Sequence, residues 1–404
     1  MMNEQLDRLL DHCIKCSDCQ GVCPVAAHNP QYPGPKLLGP DLARIKCVGG
    51  AKGNAAEAAG ELLRSLEMCS GCQRCELACP YGVPVAQLIR LNRDALQRKL
   101  PLRDKMLATP QVLGQMGTAI APLMNPVLRN PLVQKMIKGM LGLEMEQPLA
   151  FASSKDLLQP TLRQRAGAAE GKVIYFPGCH VNYQEPEVGK AFLQLLEILG
   201  VKALVTEQIC CGMPLLAAGN REKAYTAFQR NIQIFKEYVE QGCQIVTTCP
   251  SCSLTLKKIY VEELGTEEAR QLASAVYDYS EYLEQYSSCL AALVHPLRER
   301  AVYHLPCHTQ AQGTGLAGLQ LMRLVPGLEL NVVPDCCGQS GTYGFKAEKQ
   351  GVSRAIGSSL VRRITAVEPD VVITPCGSCK DRLSFASGVQ TVHPVQLLNN
   401  ACQK

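Results

Sequence analysis

Cysteine is the residue type with chemistry to offer, and the chain carries 22 of them. Cys13, Cys16, Cys19 and Cys23 stand in a C-x2-C-x2-C-x3-C run closed by Pro24. Cys69, Cys72, Cys75 and Cys79 repeat that run before Pro80. Three thiolates two residues apart wrap one corner of an iron–sulfur cubane from a single loop. The fourth lies on the next turn, points away and serves the other cluster. The spacing therefore predicts one [4Fe–4S] cluster on Cys13, Cys16, Cys19 and Cys79, and a second on Cys69, Cys72, Cys75 and Cys23. A pair of zinc sites is the plainer alternative. Zinc takes four thiolates, often as two C-x2-C pairs, and has no use for a C-x3-C-P ending twice. Each proline lacks a backbone donor and ends its ligand loop.

Ten further cysteines form an internal repeat. Cys179 maps onto Cys307 at an offset of 128, Cys210-Cys211-Gly212 onto Cys336-Cys337-Gly338 at 126, and Cys249-x-x-Cys252 onto Cys376-x-x-Cys379 at 127. An offset this constant means two copies of one unit. Adjacent cysteines cannot easily chelate one ion together, but they can bridge neighbouring irons. Zinc or a disulfide is the plainer reading of each copy. Five thiolates exceed a four-coordinate site, so an unusual cluster is expected in its place. All ten are candidate metal ligands.

The elements that must position these residues can be read from periodicity. In the first hundred residues, 45 residues separate Cys23 from Cys69. They hold a Pro/Gly-rich loop, NPQYPGPKLLGPD (29–41), and then a helical stretch in which Leu62, Leu63 and Leu66 share a face. This part is expected to be helical, with cluster loops between helices. Residues 101–170 contain no cysteine but six of the 11 methionines (Met106, Met116, Met124, Met136, Met140, Met145). From Val127 to Leu143, Leu128, Leu132, Met136 and Met140 recur at every fourth position, with Arg129, Lys135 and Lys138 among them. The pattern predicts one helix. It is either a linker packed on its own domains or a membrane-surface or partner-docking face, and the linker is the plainer reading.

In the C-terminal half, KVIYF (172–176), QIVTT (244–248), AVYHL (301–305), LELNVV (328–333) and DVVIT (370–374) read as strands that precede cysteines and alternate with helical periods. Alternation of this kind gives a parallel sheet covered by helices. Its ligand edge lies beyond the carboxyl ends of the strands, where the cysteines fall. Helix N-termini there should lower thiol pKa values. The expected class is α/β overall: a mainly helical two-cluster ferredoxin-like domain (1–100), a Met-rich helical connector (101–170), and two repeated cysteine-rich domains (171–295 and 296–404).

Composition narrows the function. A length of 404 residues fits two to three domains. Lys plus Arg is 41 against 36 Asp plus Glu, and Trp is absent, so nucleic acid is not an expected partner. The opening MMNEQLDRLLDHC has no apolar signal segment, which argues for a reducing compartment over a secreted disulfide scaffold. No run of 18 apolar residues marks a transmembrane helix, so any membrane attachment is expected to be peripheral or through another subunit. No G-x-G-x-x-G or Walker A run is present, so neither flavin nor nicotinamide is expected on this chain.

The Cys…Cys-Cys-Gly…Cys-x-x-Cys unit resembles the cysteine-rich (CCG) domain of heterodisulfide reductases and of iron–sulfur subunits paired with flavin dehydrogenases. Two ferredoxin-type runs followed by two such units look like the whole chain of a smaller set: glycolate oxidase iron–sulfur subunits, lactate-utilisation subunits and the C subunits of anaerobic glycerol-3-phosphate dehydrogenases. The loop 29–41, GCHVNYQEPEVGK (178–190) and CCGQSGTYGFKAEK (336–349) are most similar to the last. The resemblance implies two cubane clusters with one or two further non-cubane [4Fe–4S] clusters. It also implies an FAD-containing dehydrogenase as partner, electron delivery to menaquinone on the cytoplasmic side of the inner membrane, and a membrane-associating role in which this chain anchors the complex there. Both cysteine-rich units are complete here, a feature shared with disulfide-reducing relatives. Disulfide reduction, or a lactate or glycolate dehydrogenase partner, are the competing expectations.

Other residues are weighed on position alone. His180, His304 and His308 flank ligand cysteines and either tune a cluster or are ordinary loop histidines. His28 and His393 are read as ordinary. Lys346 either faces an anionic cluster or quinone or is a surface lysine, the plainer reading. Cys47, Cys243, Cys289 and Cys402 fit no motif and read as buried small hydrophobes. Tyr277, Tyr279, Tyr282 and Tyr286 follow a helical spacing and read as packing residues.

Overall fold

The computed structural model describes residues 4–48, 55–96, 100–144, 150–154, 158, 173–206 and 209–403. The N-terminal unit is helical. Its longer elements are Glu4–Asp11, Leu42–Val48, Ala55–Glu67 and Val85–Asp94, with the four-residue helices Asp18–Gly21 and Arg74–Leu77 inside the cysteine runs. Leu38, Leu66, Val85, Leu88 and Ile89 form its core. Pro24 occupies the first turn of helix Pro24–His28, where its missing N–H costs nothing. The segment 29–41 is not loop throughout, because Leu37–Asp41 closes a π-helical turn around Pro40. Asn92 secures that turn by donating to the Leu38 and Gly39 carbonyls at 2.8 and 3.1 Å.

The connector contains helices Leu102–Leu107, Pro110–Ala119, Ala121–Arg129 and Pro131–Leu141. The single helix expected from Val127 to Leu143 is therefore two. Pro131 has no N–H to continue the first helix, and Asn130 caps the second by accepting from the Leu132 amide at 2.9 Å. Met145 and most of 155–172 lie outside the described residues.

Two four-stranded parallel sheets follow. In the first, β1 (Val173–Tyr175), β2 (Ala203–Val205), β3 (Gln244–Thr247) and β4 (Val276–Asp278) lie in the order β2-β1-β3-β4. In the second, β5 (Glu299–His304), β6 (Leu328–Val333), β7 (Val371–Ile373) and β8 (Thr391–Val392) lie in the order β6-β5-β7-β8. The identical strand order repeats the cysteine pattern at the level of topology. Strands alternate their side chains between faces. Val173, Tyr175, Ala301, Tyr303, Val371 and Ile373 therefore enter a core shared by both sheets, while Ile174, Phe176 and Ile245 enter one outer core and Val302 and Val372 another. The strands β2, β4 and β8 were not among those read from the sequence. Tyr277 belongs to β4 and not to a helix, whereas Tyr279 and Tyr282 are on helix Tyr279–Glu284 and are buried.

The glycine after each cysteine pair has a geometric reason. Gly212 and Gly338 have φ of +86° and +81°. A Cβ at Gly338 would sit 2.1 Å from the Ser353 carbonyl oxygen, and at Gly212 it would sit 2.5 Å from the Phe228 ring. Gly341 also has positive φ (+59°) but opens onto free space. Gly338→Ala should combine the left-handed penalty with a backbone overlap and cost about 3 kcal/mol or more. Gly341→Ala should cost only about 1 kcal/mol. Thermal melting of the two variants side by side reads the difference.

Candidate metal centres

The two ferredoxin-type loops share one backbone device. The residues on either side of the second cysteine are left-handed in both: Lys15 (φ 64°) and Ser17 (76°) around Cys16, Gly71 (69°) and Gln73 (60°) around Cys72. Three of these four residues are not glycine and hold the conformation at a cost of about 1–2 kcal/mol each. The gain is a loop that turns three thiols inward.

Burial raises the Cys19 thiol, and the nearby sulfurs of Cys13, Cys16 and Cys79 raise it further. Cys13, Cys16, Cys19 and Cys79 line one shared cleft. Cys23 sits apart from its own run. Burial lifts its thiol to about 12, and its sulfur neighbours are Cys72 and Cys69. Cys75 is raised by burial and by Cys69, Cys72 and Cys23. Each run thus lends its last cysteine to the other group.

The cysteines of the repeated units also converge. In the first, Cys210 shares a thiol hydrogen bond with Cys179, Cys211 with Cys210, and Cys252 with both Cys211 and Cys249. In the second, Cys337 and Cys379 sulfurs are 3.1 Å apart, Cys379 also contacts Cys376, and Cys307 neighbours Cys336, Cys337 and Cys376. The expected lowering of thiol pKa by helix N-termini holds only in part. Cys249, which caps helix Pro250–Leu254, is lowered mainly by the Cys252 thiol, and Cys337 falls to about 7 through the Cys379 thiol. Thiol contacts and burial raise Cys210, Cys211, Cys252 and Cys379, and burial leads the rise at Cys307 and Cys336. Thiol contacts and desolvation outweigh the dipole at these six sulfurs, and not at Cys249 and Cys337.

These donor sets fit iron–sulfur clusters. The thiols are crowded beyond what protons alone make comfortable, and no disulfide joins any of the described cysteines. Two buried phenols add an independent sign. The Tyr32 hydroxyl stands at the Cys69 sulfur, near Cys23 and Cys75, and the Tyr343 hydroxyl faces Cys69, Cys23 and Cys336. Neither hydroxyl finds a nitrogen or oxygen partner among the described residues. Both suit an anionic sulfur-rich group. Neither tyrosine was singled out from sequence, although Tyr32 lies in the YPGPK segment and Tyr343 in GTYGFK.

The second ferredoxin-type group abuts the second repeated unit. The sulfur of Cys72 is close enough to raise the Cys307 and Cys336 thiols. His308 bridges three parts of the chain. Its Nε2–H donates to the Gly71 carbonyl at 3.3 Å, and its Nδ1 accepts from the Ser251 hydroxyl at 2.8 Å. Arg74 donates to the Pro334 carbonyl, completing the seam. His304 is no loop residue. It ends β5, fully buried, donating to Asp335 O and accepting from Thr374 Oγ1, each at 3.0 Å, and burial lowers it to about 4. His393, also lowered to about 4 by burial, donates to Thr248 O at 3.0 Å. His28 is exposed and bonds its own helix.

His180 lies between the two repeated units, with its ring filling the space a side chain at Gly377 would need. Burial opposes its charge, but Glu185 at 3.4 Å lifts it to about 9. His180, Glu185 and Asp381 come within 4.8 Å of one another, yet the Lys380 ammonium, 2.6 Å from Glu185, already supplies the cation there. Lys346 is not a surface lysine. It is mostly enclosed and pairs with buried Asp104 at 2.9 Å. The neighbouring Lys349 is buried over the Tyr343 ring and donates to the Glu67 carbonyl, bracing the approach to Cys69. Of the unassigned cysteines, Cys243 is buried, Cys402 half-buried and Cys289 exposed, so the buried reading fails for Cys289. The Cys47 side chain lies outside the described residues.

Comparison with known proteins agrees with this layout. A family model described as a cysteine-rich domain matches residues 173–257 and 301–384, and one described as a 4Fe-4S dicluster domain matches 9–83. The glycolate oxidase iron-sulfur subunit of Escherichia coli is 24% identical over 424 residues, covering 99% of this chain and 96% of its own. The B subunit of fumarate reductase (CoM/CoB) from Methanothermobacter marburgensis is 26% identical, covering 96% and 70%. The chain is thus an iron–sulfur subunit of an oxidoreductase family. The C subunit of anaerobic glycerol-3-phosphate dehydrogenase from Escherichia coli is 32% identical over 403 residues, 98% of this chain and 99% of that one. This chain belongs to that C-subunit family.

With a cluster on Cys23, Cys69, Cys72 and Cys75, each phenol should stabilise the reduced, more negative state by donating to sulfur. Tyr32→Phe should therefore lower that cluster's midpoint potential and leave the Cys13 group's unchanged. Redox titration followed by electron paramagnetic resonance reads both.

Proposed function

We propose that the chain is the electron-transfer subunit of an anaerobic glycerol-3-phosphate dehydrogenase, carrying electrons from an FAD-containing partner to menaquinone at the cytoplasmic face of the inner membrane. Cys13, Cys16, Cys19 and Cys79 would hold one [4Fe–4S] cubane and Cys69, Cys72, Cys75 and Cys23 another. Cys179, Cys210, Cys211, Cys249 and Cys252, and Cys307, Cys336, Cys337, Cys376 and Cys379, would each hold a non-cubane cluster. When bound, such clusters take up and release electrons without moving heavy atoms.

The observation that carries the reading is the contact between two cysteine groups. Cys72 of the second ferredoxin-type loop reaches the electrostatic environment of Cys307 and Cys336. A chain of adjacent thiol groups in a protein without flavin or nicotinamide motifs suits a conduit. The residues between the groups are arranged to hold still. His308 locks the Gly71 loop to helix Cys307–Gln312, Arg74 ties it to Pro334, and Tyr343 stands buried beside Cys69, Cys23 and Cys336. A rigid seam keeps the spacing between groups fixed, and little reorganisation is then needed when charge passes. The partner's substrate is read from the Escherichia coli C subunit, whose name specifies glycerol 3-phosphate.

The test is a substrate panel on membranes from anaerobically grown cells with and without this gene. Quinone reduction driven by glycerol 3-phosphate should be lost, and reduction driven by lactate or glycolate retained. Loss of a different activity would change the partner, and loss of none would overturn the conduit. Anaerobic iron and sulfide analysis should return four clusters per chain; a count of two would remove clusters from the repeated units.

A further inference from the structure

The connector turns the usual amphipathic rule inside out. Its small residues face the protein. A Cβ at Gly114 would meet the Tyr183 ring at 2.4 Å, one at Gly117 would meet the Phe151 ring at 2.5 Å, and Ala121 is buried. Its large apolar residues face out. Leu123, Leu132 and Met140 are 76–77% exposed, and Met116 and Met136 are also exposed. Helix Pro131–Leu141 buries no residue at all. A linker packed on its own domains would show the opposite pattern.

The charges on this surface have one sign. From residue 105 to 143 there is no Asp or Glu, although acids make up 36 of the 404 residues. The cations are Lys105, Arg129, Lys135 and Lys138, all exposed, with Lys138 also reaching Glu144 at 3.0 Å. Exposed apolar side chains flanked by cations alone are complementary to a surface that is apolar beneath and negative on top. Among the described residues no helix is long and apolar enough to cross a membrane, so attachment by this face would be interfacial.

The same helices lie on a cysteine group. Gln111, on helix Pro110–Ala119, accepts from the Cys210 amide at 2.8 Å, and helix Gly178–Tyr183, which bears Cys179, packs beneath. We infer that the outer face of the connector docks on an anionic lipid bilayer, with the Cys179/Cys210 group as the one held against it. This rests on the reading that the chain delivers electrons to a membrane quinone, and it names the surface and lipid chemistry involved.

The chain has no tryptophan, so Leu132→Trp installs a single reporter in the full, cluster-loaded chain. The probe is vesicles of phosphatidylglycerol and phosphatidylethanolamine with brominated acyl chains. The reporter's emission should shift to the blue and be quenched. A tryptophan introduced by Phe385→Trp, on helix Gly377–Ser387 of the second repeated unit, should do neither. Adding Arg129→Glu and Lys135→Glu should weaken vesicle binding about tenfold or more, while iron content stays constant. Pure phosphatidylcholine vesicles should bind correspondingly less. Absence of a shift with anionic vesicles, or equal quenching of both reporters, would overturn the inference. So would an unaffected vesicle affinity in the charge-reversed variants combined with loss of flavoprotein binding. The vesicle assay uses no substrate, so its outcome is independent of which dehydrogenase the chain serves. Conversely, failure of glycerol 3-phosphate oxidation to reduce a soluble dye through the chain would count against the proposed function alone.

Discussion

Burying many thiols in a few small spaces is the constraint on which the rest of the structure depends. Eighteen cysteines fall into four groups, and within each the sulfurs raise one another or share protons. Cys23 gives the scale. Its thiol moves from 9.0 to about 12, so ionising it alone costs about 4 kcal/mol more than in water. One hydrogen bond to a charged group returns about 1.5–3 kcal/mol, so ordinary protein contacts cannot hold four or five such thiolates together. A multivalent cation centre can. The left-handed residues at Lys15, Ser17 and Gln73, and the glycine after each cysteine pair, are backbone costs accepted to bring the thiols that close.

Holding three units in register requires contacts with direction, and the chain uses charged ones. Arg90, from helix Val85–Asp94, is buried between Glu262 at 2.8 Å and Glu263 at 3.3 Å, and Glu263 also takes Arg221 at 3.0 Å. Lys258 closes the set onto Glu76 at 2.7 Å, and Glu76 in turn accepts from the Ala86 and Gln87 amides. Buried ion pairs add little net stability over well-packed apolar residues, because desolvation cancels much of the attraction. Their value here is positional. An apolar seam could slide, whereas a guanidinium between two carboxylates fixes the ferredoxin-type unit on the first repeated unit. Lys36 plays the same part within that unit, donating to Ser17 Oγ at 2.9 Å and to the Lys15 carbonyl. The segment 29–41 therefore braces both cysteine loops, one through Lys36 and the other through Tyr32.

Much of this was legible in the sequence because cysteine spacing is a geometric statement. The repeat offset near 127 announced the two sheets, and five of the eight strands carried enough apolar residues to be seen. The strands β2, β4 and β8 did not: β4 (VYD) and β8 (TV) lack the apolar run that made KVIYF and DVVIT readable, and β2 (ALV) was passed over. The connector misled for a different reason. Periodicity reports that a helix has an apolar face but not which way the face points. Only the packing of Gly114 on Tyr183 and Gly117 on Phe151 shows that the small side is the inside. Helix N-termini likewise suggested low thiol pKa values, a local argument that neighbouring thiols and burial override at six of the ten repeat cysteines. Tyr32, Tyr343 and Lys349 were hidden because nothing in a single tyrosine or lysine tells that tertiary structure will bury it beside sulfur.

Two copies of one unit, with the same strand order and the same five cysteines, would by themselves be interchangeable. Their neighbours differ. The group at Cys307 and Cys336 is covered by the ferredoxin-type loop through Cys72, His308 and Arg74. The group at Cys179 and Cys210 is covered by the connector, through Gln111 and through Gly114 packed on Tyr183. One copy therefore faces another cysteine group, and the other faces a thin helical layer whose far side is apolar and cationic. A symmetric pair placed between unlike neighbours acquires a direction, which the proposed carriage of electrons would require. Gene duplication supplies two equivalent sites, and it is the unequal covers, built from segments outside the repeat, that make one an inner site and the other an outer one.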